Sequence, residues 1–176
     1  MMSIVVVFWM YVLLFAFIGG MRGWAKELMV SFSVILALAV SHVVRRYFPL
    51  INAMPETDLN LFWARVIILG VLVYFGYQTV VSVGHLASRA VRERVQDTLI
   101  GVFLGGVNGY LVTGSLLYYL DVAQYPFPEL MSRPTEPALL NTVIEMMNYM
   151  PPALLGEPGI YIAVIVAFVF VIVVYI

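Results

Sequence analysis

Five long apolar runs constrain this chain more than any other feature, because water does not solvate them and a bilayer does. A helix rises about 1.5 Å per residue, so about 20 residues cross the roughly 30 Å of hydrocarbon in a membrane. The runs are 3–20, 27–44, 61–86, 99–120 and 159–176. With 63% of residues hydrophobic and 11% charged, the chain is too apolar for a soluble domain of its size. The expected fold is therefore all-α. It is a polytopic membrane protein with a four-helix core bundle, a fifth transmembrane helix and short interfacial helices. The first run, Ile4 to Ile18, has no Lys or Arg before it and no small-x-small cleavage site before Arg22. It reads as a retained span rather than a signal peptide. The net charge of −1 gives no pull toward nucleic acid, and no nucleic-acid partner is expected. The absence of cysteine excludes disulfides, cysteine-ligated iron–sulfur clusters and thioether-attached haem.

The links between runs differ in kind. Gly19-Gly20-Met21-Arg22-Gly23 predicts a tight turn and an antiparallel hairpin of the first two helices. Pro49 and Pro55 stop helices in the second link. The third run is longer than a span needs and is expected to tilt or to continue into the interface. In the third link, Ala87, Val91 and Val95 stand four apart beneath Arg89, Arg92 and Arg94. That pattern predicts an amphipathic helix over 88–96 on an anionic membrane surface. The fourth link, 121–158, is rich in proline. Between Pro137 and Pro151, the residues Leu139, Leu140, Val143, Ile144 and Met147 recur at helical spacing and predict a short interfacial helix. The first and third links carry Arg22, Lys26, Arg89, Arg92 and Arg94, against Arg45, Arg46 and Arg133 in the other two. This bias places the N-terminus outside, the C-terminus inside and the long acidic fourth link outside.

Within the fourth run, Gly101, Gly105 and Gly109 follow Asp97 at four-residue steps. The spacing stacks them on one helix face, where another helix can approach closely. Val102 is expected to fall off that face. Asp97 precedes Thr98 and reads as the N-cap of the fourth span. Asn108 lies about three turns deeper, and its amide needs a partner because hydrocarbon offers none. An interhelical hydrogen bond is the leading reading, and a pore-lining group is the other. Glu27 stands in the first turn of the second helix, where the helix dipole favours a carboxylate, and Arg22 is placed to pair with it or with lipid phosphate. The bland reading of both is turn-fixing and snorkelling. The functional one is a substrate or partner contact at the cytoplasmic mouth. Arg65, beside Trp63, reads as an interfacial anchor.

The segments Gly20-Met21-Arg22-Gly23-Trp24-Ala25-Lys26-Glu27 and Asp97 to Gly109 together resemble the colicin V production protein (CvpA) family over about residues 4–150. The family pattern is a G-x-R-G-x-x-x-E turn followed by a D-x-x-x-G-x-x-x-G-x-x-R-G helix. Asn108 stands where that pattern has arginine, and the first span lacks the family's early acidic residue. The resemblance implies a multi-pass protein of the bacterial cytoplasmic (inner) membrane, connected with colicin export, biofilm and envelope stress, and without a defined reaction. It divides the chain into a family-like transmembrane domain, 1–150, and an additional C-terminal helix, 151–176.

No catalytic constellation accompanies these motifs. There is no H-E-x-x-H, G-x-S-x-G or P-loop, and Ser31 and Ser33 have no evident base nearby in the sequence. His42 and His85 lie near span ends and read as interfacial groups rather than pigment or haem ligands. No cofactor and no metal is expected. The leading function class is a non-enzymatic scaffold, or a small accessory subunit of a respiratory, photosynthetic or export complex. Its helix-packing or partner-binding candidates are Arg22, Gly23, Glu27, Asp97, Gly101, Gly105, Asn108 and Gly109. The expected partners are the lipid bilayer and other membrane subunits or further copies of the chain. The alternative is a channel or transporter component, for which only Asn108, Gln78 and Thr79 supply polarity at depth. The fifth run has no charge or amide, and Val164, Ala167, Val171 and Val174 recur along it at helical spacing. That face is expected to suit a groove on another subunit.

Overall fold

The structure is a computed structural model that describes residues 4–78, 93–129 and 131–175, and every regular element among them is a helix. Four helices are long and apolar enough to cross a membrane. These are α1 (Ile4–Arg22), α2 (Trp24–Tyr47), α4 (Leu59–Gln78) and α5 (Glu93–Val122). The short helices are α3 (Pro49–Asn52), α6 (Pro137–Asn148) and α7 (Pro151–Leu154), each with proline in its first turn. Proline lacks the N–H that the first turn leaves unpaired, so it starts these helices as readily as it ends the preceding ones. Phe48, held extended before Pro49, marks the end of α2. The last helix, α8 (Gly159–Tyr175), has 17 residues and is shorter than the four spans.

The hairpin of α1 and α2 exists, but its arms touch little. Helix α5 lies between them. Along α1, Val12 meets Gly109 and Gly19 meets Gly101, so α1 and α5 run in opposite directions. Along α2, Gly23 meets Asp97 and Ser31 meets Asn108, so α2 and α5 run the same way. The glycine ladder makes the α1 side of this wedge. A Cβ on Gly105 would lie 2.9 Å from the Gly19 Cα, and one on Gly109 would lie 3.0 Å from the Val12 Cα. Backbone meets backbone at this crossing. A second close approach joins α4 to α2, where a Cβ on Gly76 would come within 2.7 Å of the Ser33 Cβ. Val102 does not fall clear of the contact as expected. Its Cγ2 lies 2.6 Å from where a Gly20 Cβ would stand, because the two helices stay close over more than one face.

Two apolar cores flank α5. One gathers Val30, Val34 and Leu38 of α2, Leu69 of α4, Val112 and Tyr119 of α5 and Ile160 of α8. The other seats Val143 and Met147 of α6, with Met150, on Phe8 and Val12 of α1. The helix expected between Pro137 and Pro151 is thus present, held by two of its five apolar positions.

Two expectations change, and a third lies largely outside the described residues. Asp97 lies inside α5, which begins at Glu93, and so does not cap it. The polar residues before Leu99 are good helix formers, and a helix need not end where hydrocarbon does. The surface helix expected over 88–96 falls largely outside the described residues, as does the third run beyond Gln78. Its last residues, Glu93 to Gln96, belong to α5. The small-residue face of α8 is turned toward this chain's own α2. Val164 and Ala167 line a gap shared with Phe32, Ile35 and Leu36, and Phe170 lies 6.0 Å from the Phe32 ring. Burial of Ile160 in the core fixes the start of α8 there. Val171 and Val174 have side chains outside the described set.

Replacing Gly105 with Leu should force α1 and α5 apart and cost on the order of 2 kcal/mol, as overpacking does. Phe103→Leu, at a lipid-facing position 70% exposed, is the control. Thermal unfolding in detergent should show a lowered midpoint for Gly105→Leu alone; equal midpoints would refute the close crossing.

Candidate functional site

The site grows from one glycine. Gly23 joins α1 to α2 at φ +86°, a left-handed conformation that side chains avoid. A Cβ there would also stand 2.8 Å from the Asp97 carboxylate. Glycine is required on both counts. With Gly23 in place, Asp97 Oδ1 accepts a hydrogen bond from the Trp24 N–H at 3.0 Å. A helix leaves its first N–H groups unpaired and carries positive potential there. Asp97 answers both needs, capping α2 from α5 across 73 residues of sequence.

Arg22, the last residue of α1, donates to Glu27 Oε1 at 2.7 Å. Its guanidinium lies 4.2 Å from the centre of the Tyr77 ring and donates to the Tyr77 carbonyl at 3.4 Å, near the described end of α4. Glu27 is 0% exposed. Its Oε2 accepts from Asn108 Nδ2 at 2.8 Å, and its backbone carbonyl accepts from the same amide at 2.8 Å. Ser31 Oγ completes the set by donating to Asn108 Oδ1 at 2.7 Å. Both amide hydrogens and the amide oxygen of Asn108 are thereby used, as a fully buried amide requires. Arg22, Glu27, Asn108, Ser31 and Tyr77 tie α1, α2, α4 and α5 at one place.

The sequence-predicted residues therefore converge. Arg22, Glu27 and Asn108 share one network, Gly23 and Asp97 meet at the start of α2 beside it, and Gly101, Gly105 and Gly109 lie along the adjoining crossing. The interhelical role expected of Asn108 and the Arg22–Glu27 pairing are both present. Asp97 acts on another helix than the one expected. Ser31 and Tyr77 join without a sequence motif of their own, since only folding brings them to Asn108 and Arg22. Among the described residues, no three His, Asp or Glu side chains converge as a metal site.

The opposite end of the bundle carries a second set of polar contacts that the sequence did not announce. Arg65 is not simply an interfacial anchor. It donates to Glu56 at 2.8 Å and lies 5.5 Å from the centre of the Tyr119 ring, with little of its side chain exposed. His42, near the end of α2, meets Glu157 at 2.9 Å, while His85 lies outside the described residues. Arg46 and the Tyr161 hydroxyl also donate to Glu157. Hydrogen bonds from His42, Arg46 and Tyr161 hold the Glu157 carboxyl down at about 2. These partners are 111 and 115 residues away in sequence for Arg46 and His42, so no local spacing betrays them.

The sequence model described as Colicin V production protein matches residues 4–148, which takes in α1 to α6 and leaves α7 and α8 outside. No curated protein and no solved structure matches the chain.

Two tests address these clusters. Arg22→Ala strands a buried carboxylate and should cost about 3–5 kcal/mol. Asn108→Ala should cost about 1–3 kcal/mol, and Arg22→Ala with Glu27→Gln should recover part of the loss. Chemical denaturation in micelles reads all three, and a double variant no better than Arg22→Ala would sink the pairing. The second test uses pH. A carboxyl whose folded value is depressed contributes above its unfolded value and loses that contribution as pH falls through the folded one. The Glu157 contacts should therefore hold from neutral pH down to about 3 and fail near 2. Spin labels at Tyr47→Cys and Ile162→Cys in this cysteine-free chain should report a constant separation over that range. Adding Glu157→Gln should broaden it already at neutral pH.

Proposed function

The chain belongs to the colicin V production protein family, and on that premise we propose that it acts as a non-enzymatic scaffold or small accessory subunit of a larger membrane complex, respiratory, photosynthetic or export in type. One observation carries this reading. The charged and amide groups of the family motif are spent on one another, through the Arg22–Glu27–Asn108–Ser31 network and the Asp97 cap. Groups used in this way hold helices together and leave little to bind and turn over a substrate. The outward surface supports the same reading. Trp9, Leu13 and Phe17 on α1 and Ile165, Phe168 and Val173 on α8 are exposed apolar side chains suited to lipid or to the apolar helices of other subunits. Membership of the family favours the bacterial inner membrane, and the bias of Lys and Arg favours an N-terminus outside and a C-terminus inside.

Gentle extraction of the full chain, followed by size analysis and identification of what travels with it, tests the proposal. A membrane protein present in fixed ratio is the expected result. Protein that purifies alone, and that conducts ions in planar bilayers, would replace the scaffold reading with the channel alternative.

A further inference from the structure

The end of the bundle opposite Gly23 carries a half-open chamber of about 330 Å³ that the motif network does not touch. Ser41, His42 and Arg45 reach it from the end of α2, Arg65 from the start of α4, and Tyr118 and Tyr119 from the end of α5. Pro152, Leu155 and Ile160 form the remaining wall. That wall lies beyond residue 148, so the segment after the family match forms one side of the chamber.

Its chemistry is that of a hydrogen-bond donor site. Arg45 and Arg65 share one carboxylate, Glu56, at 3.1 and 2.8 Å. Two guanidinium groups against one carboxylate leave an excess positive charge, to which His42 adds only when protonated. Arg45 is also committed to the Ile51 carbonyl. Among the described residues Arg65 hydrogen-bonds only to Glu56, and a guanidinium carries five donors. Ser41 lines the chamber and is more than nine-tenths buried, and its hydroxyl, beside Tyr119, makes no well-formed hydrogen bond among the described residues. A buried hydroxyl this weakly satisfied is unfavourable, so its place beside the chamber points to a ligand that accepts a hydrogen bond.

We propose that the chamber binds an anionic phosphate group, held by Arg65 and the Ser41 hydroxyl, with the tyrosine hydroxyls beside them. Guanidinium and hydroxyl donors together suit phosphate oxygens. The phosphate has two possible sources, a lipid headgroup at the membrane interface or a free phosphate in the aqueous phase. The α7–α8 wall gives the C-terminal segment a role inside this chain, separate from any docking to partners.

The test uses the full chain in nanodiscs. Lipid retention is read by native mass spectrometry with phosphatidylglycerol against phosphatidylcholine. Inorganic phosphate is titrated by calorimetry into phosphatidylcholine discs. Saturable binding of either anionic probe is expected. Phosphatidylglycerol binding without a phosphate signal assigns the headgroup, and a phosphate signal assigns the free ion. Arg65→Gln should weaken the positive probe about tenfold and Ser41→Ala about fivefold, the loss of a charged and a neutral hydrogen bond. Arg133→Gln, at an arginine paired with Asp121 and not among the chamber's lining residues, should bind as the unmodified chain does. If Arg65→Gln does not fold, Ser41→Ala decides alone, since it removes a hydroxyl that makes no well-formed hydrogen bond within the described residues. Equal retention of both lipids with no phosphate signal, or unchanged binding by Ser41→Ala, would overturn the site.

Discussion

A buried carboxylate in the first turn of a membrane helix is the constraint on which the bundle depends. Glu27 is enclosed on every side, and an ion so placed is tolerable only when its partners are close and its remaining lone pairs are used. Arg22 supplies the charge and Asn108 the second hydrogen bond. Each partner arrives on a different helix. Satisfying one carboxylate therefore fixes α1 and α5 relative to α2, and Arg22 over Tyr77 adds α4. Apolar packing alone sets no such register in lipid, because lipid tails compete equally for apolar faces. The polar groups supply specificity that the aliphatic and aromatic majority cannot.

The glycines make that arrangement sterically possible. Arg22 and Glu27 flank Gly23, so the network forms only if α1 and α2 part at that residue and α5 enters between them. The close crossing of Gly19 with Gly101 and Gly105 lets α5 lie deep enough for Asn108 to reach Glu27. Asp97 then closes the entrance by capping α2. Asn108, where the family pattern has arginine, changes the chemistry of this point. A neutral amide donates to Glu27 and accepts from Ser31, so among the described residues Arg22 alone answers the charge of the buried carboxylate.

The C-terminal segment behaves as part of the same body. Ile160 enters the core between α2, α4 and α5, and Glu157 gathers His42, Arg46 and Tyr161. Beyond this start, α8 lies along α2 through Val164, Ala167 and Phe170. Along the same length, Ile165, Phe168 and Val173 face outward. One helix thus joins a fixed base to an exposed apolar length, and the proposed scaffold role draws on that length.

The sequence by itself determined what depends on local order. Apolar runs too long for a soluble core called for spanning helices, helical spacing between Pro137 and Pro151 marked the short α6, and four-residue glycine spacing marked a face for close contact. The pairing of Arg22 with Glu27 was legible because only four residues separate them, the first a glycine. Asn108 was legible as a group needing a partner, since hydrocarbon supplies none. Tertiary structure alone decided who the partners were. Which helix the glycines meet depends on α5 wedging between α1 and α2, and no spacing within α5 encodes that. Asp97 looked like a cap for its own helix because capping is usually local, yet its helix had already begun and the unpaired N–H was on α2. Arg65 with Glu56, Ser31 with Asn108 and Glu157 with His42 join residues from separate helices or links. Charge and hydrogen-bond capacity are properties of a residue, but their satisfaction is a property of the packed chain.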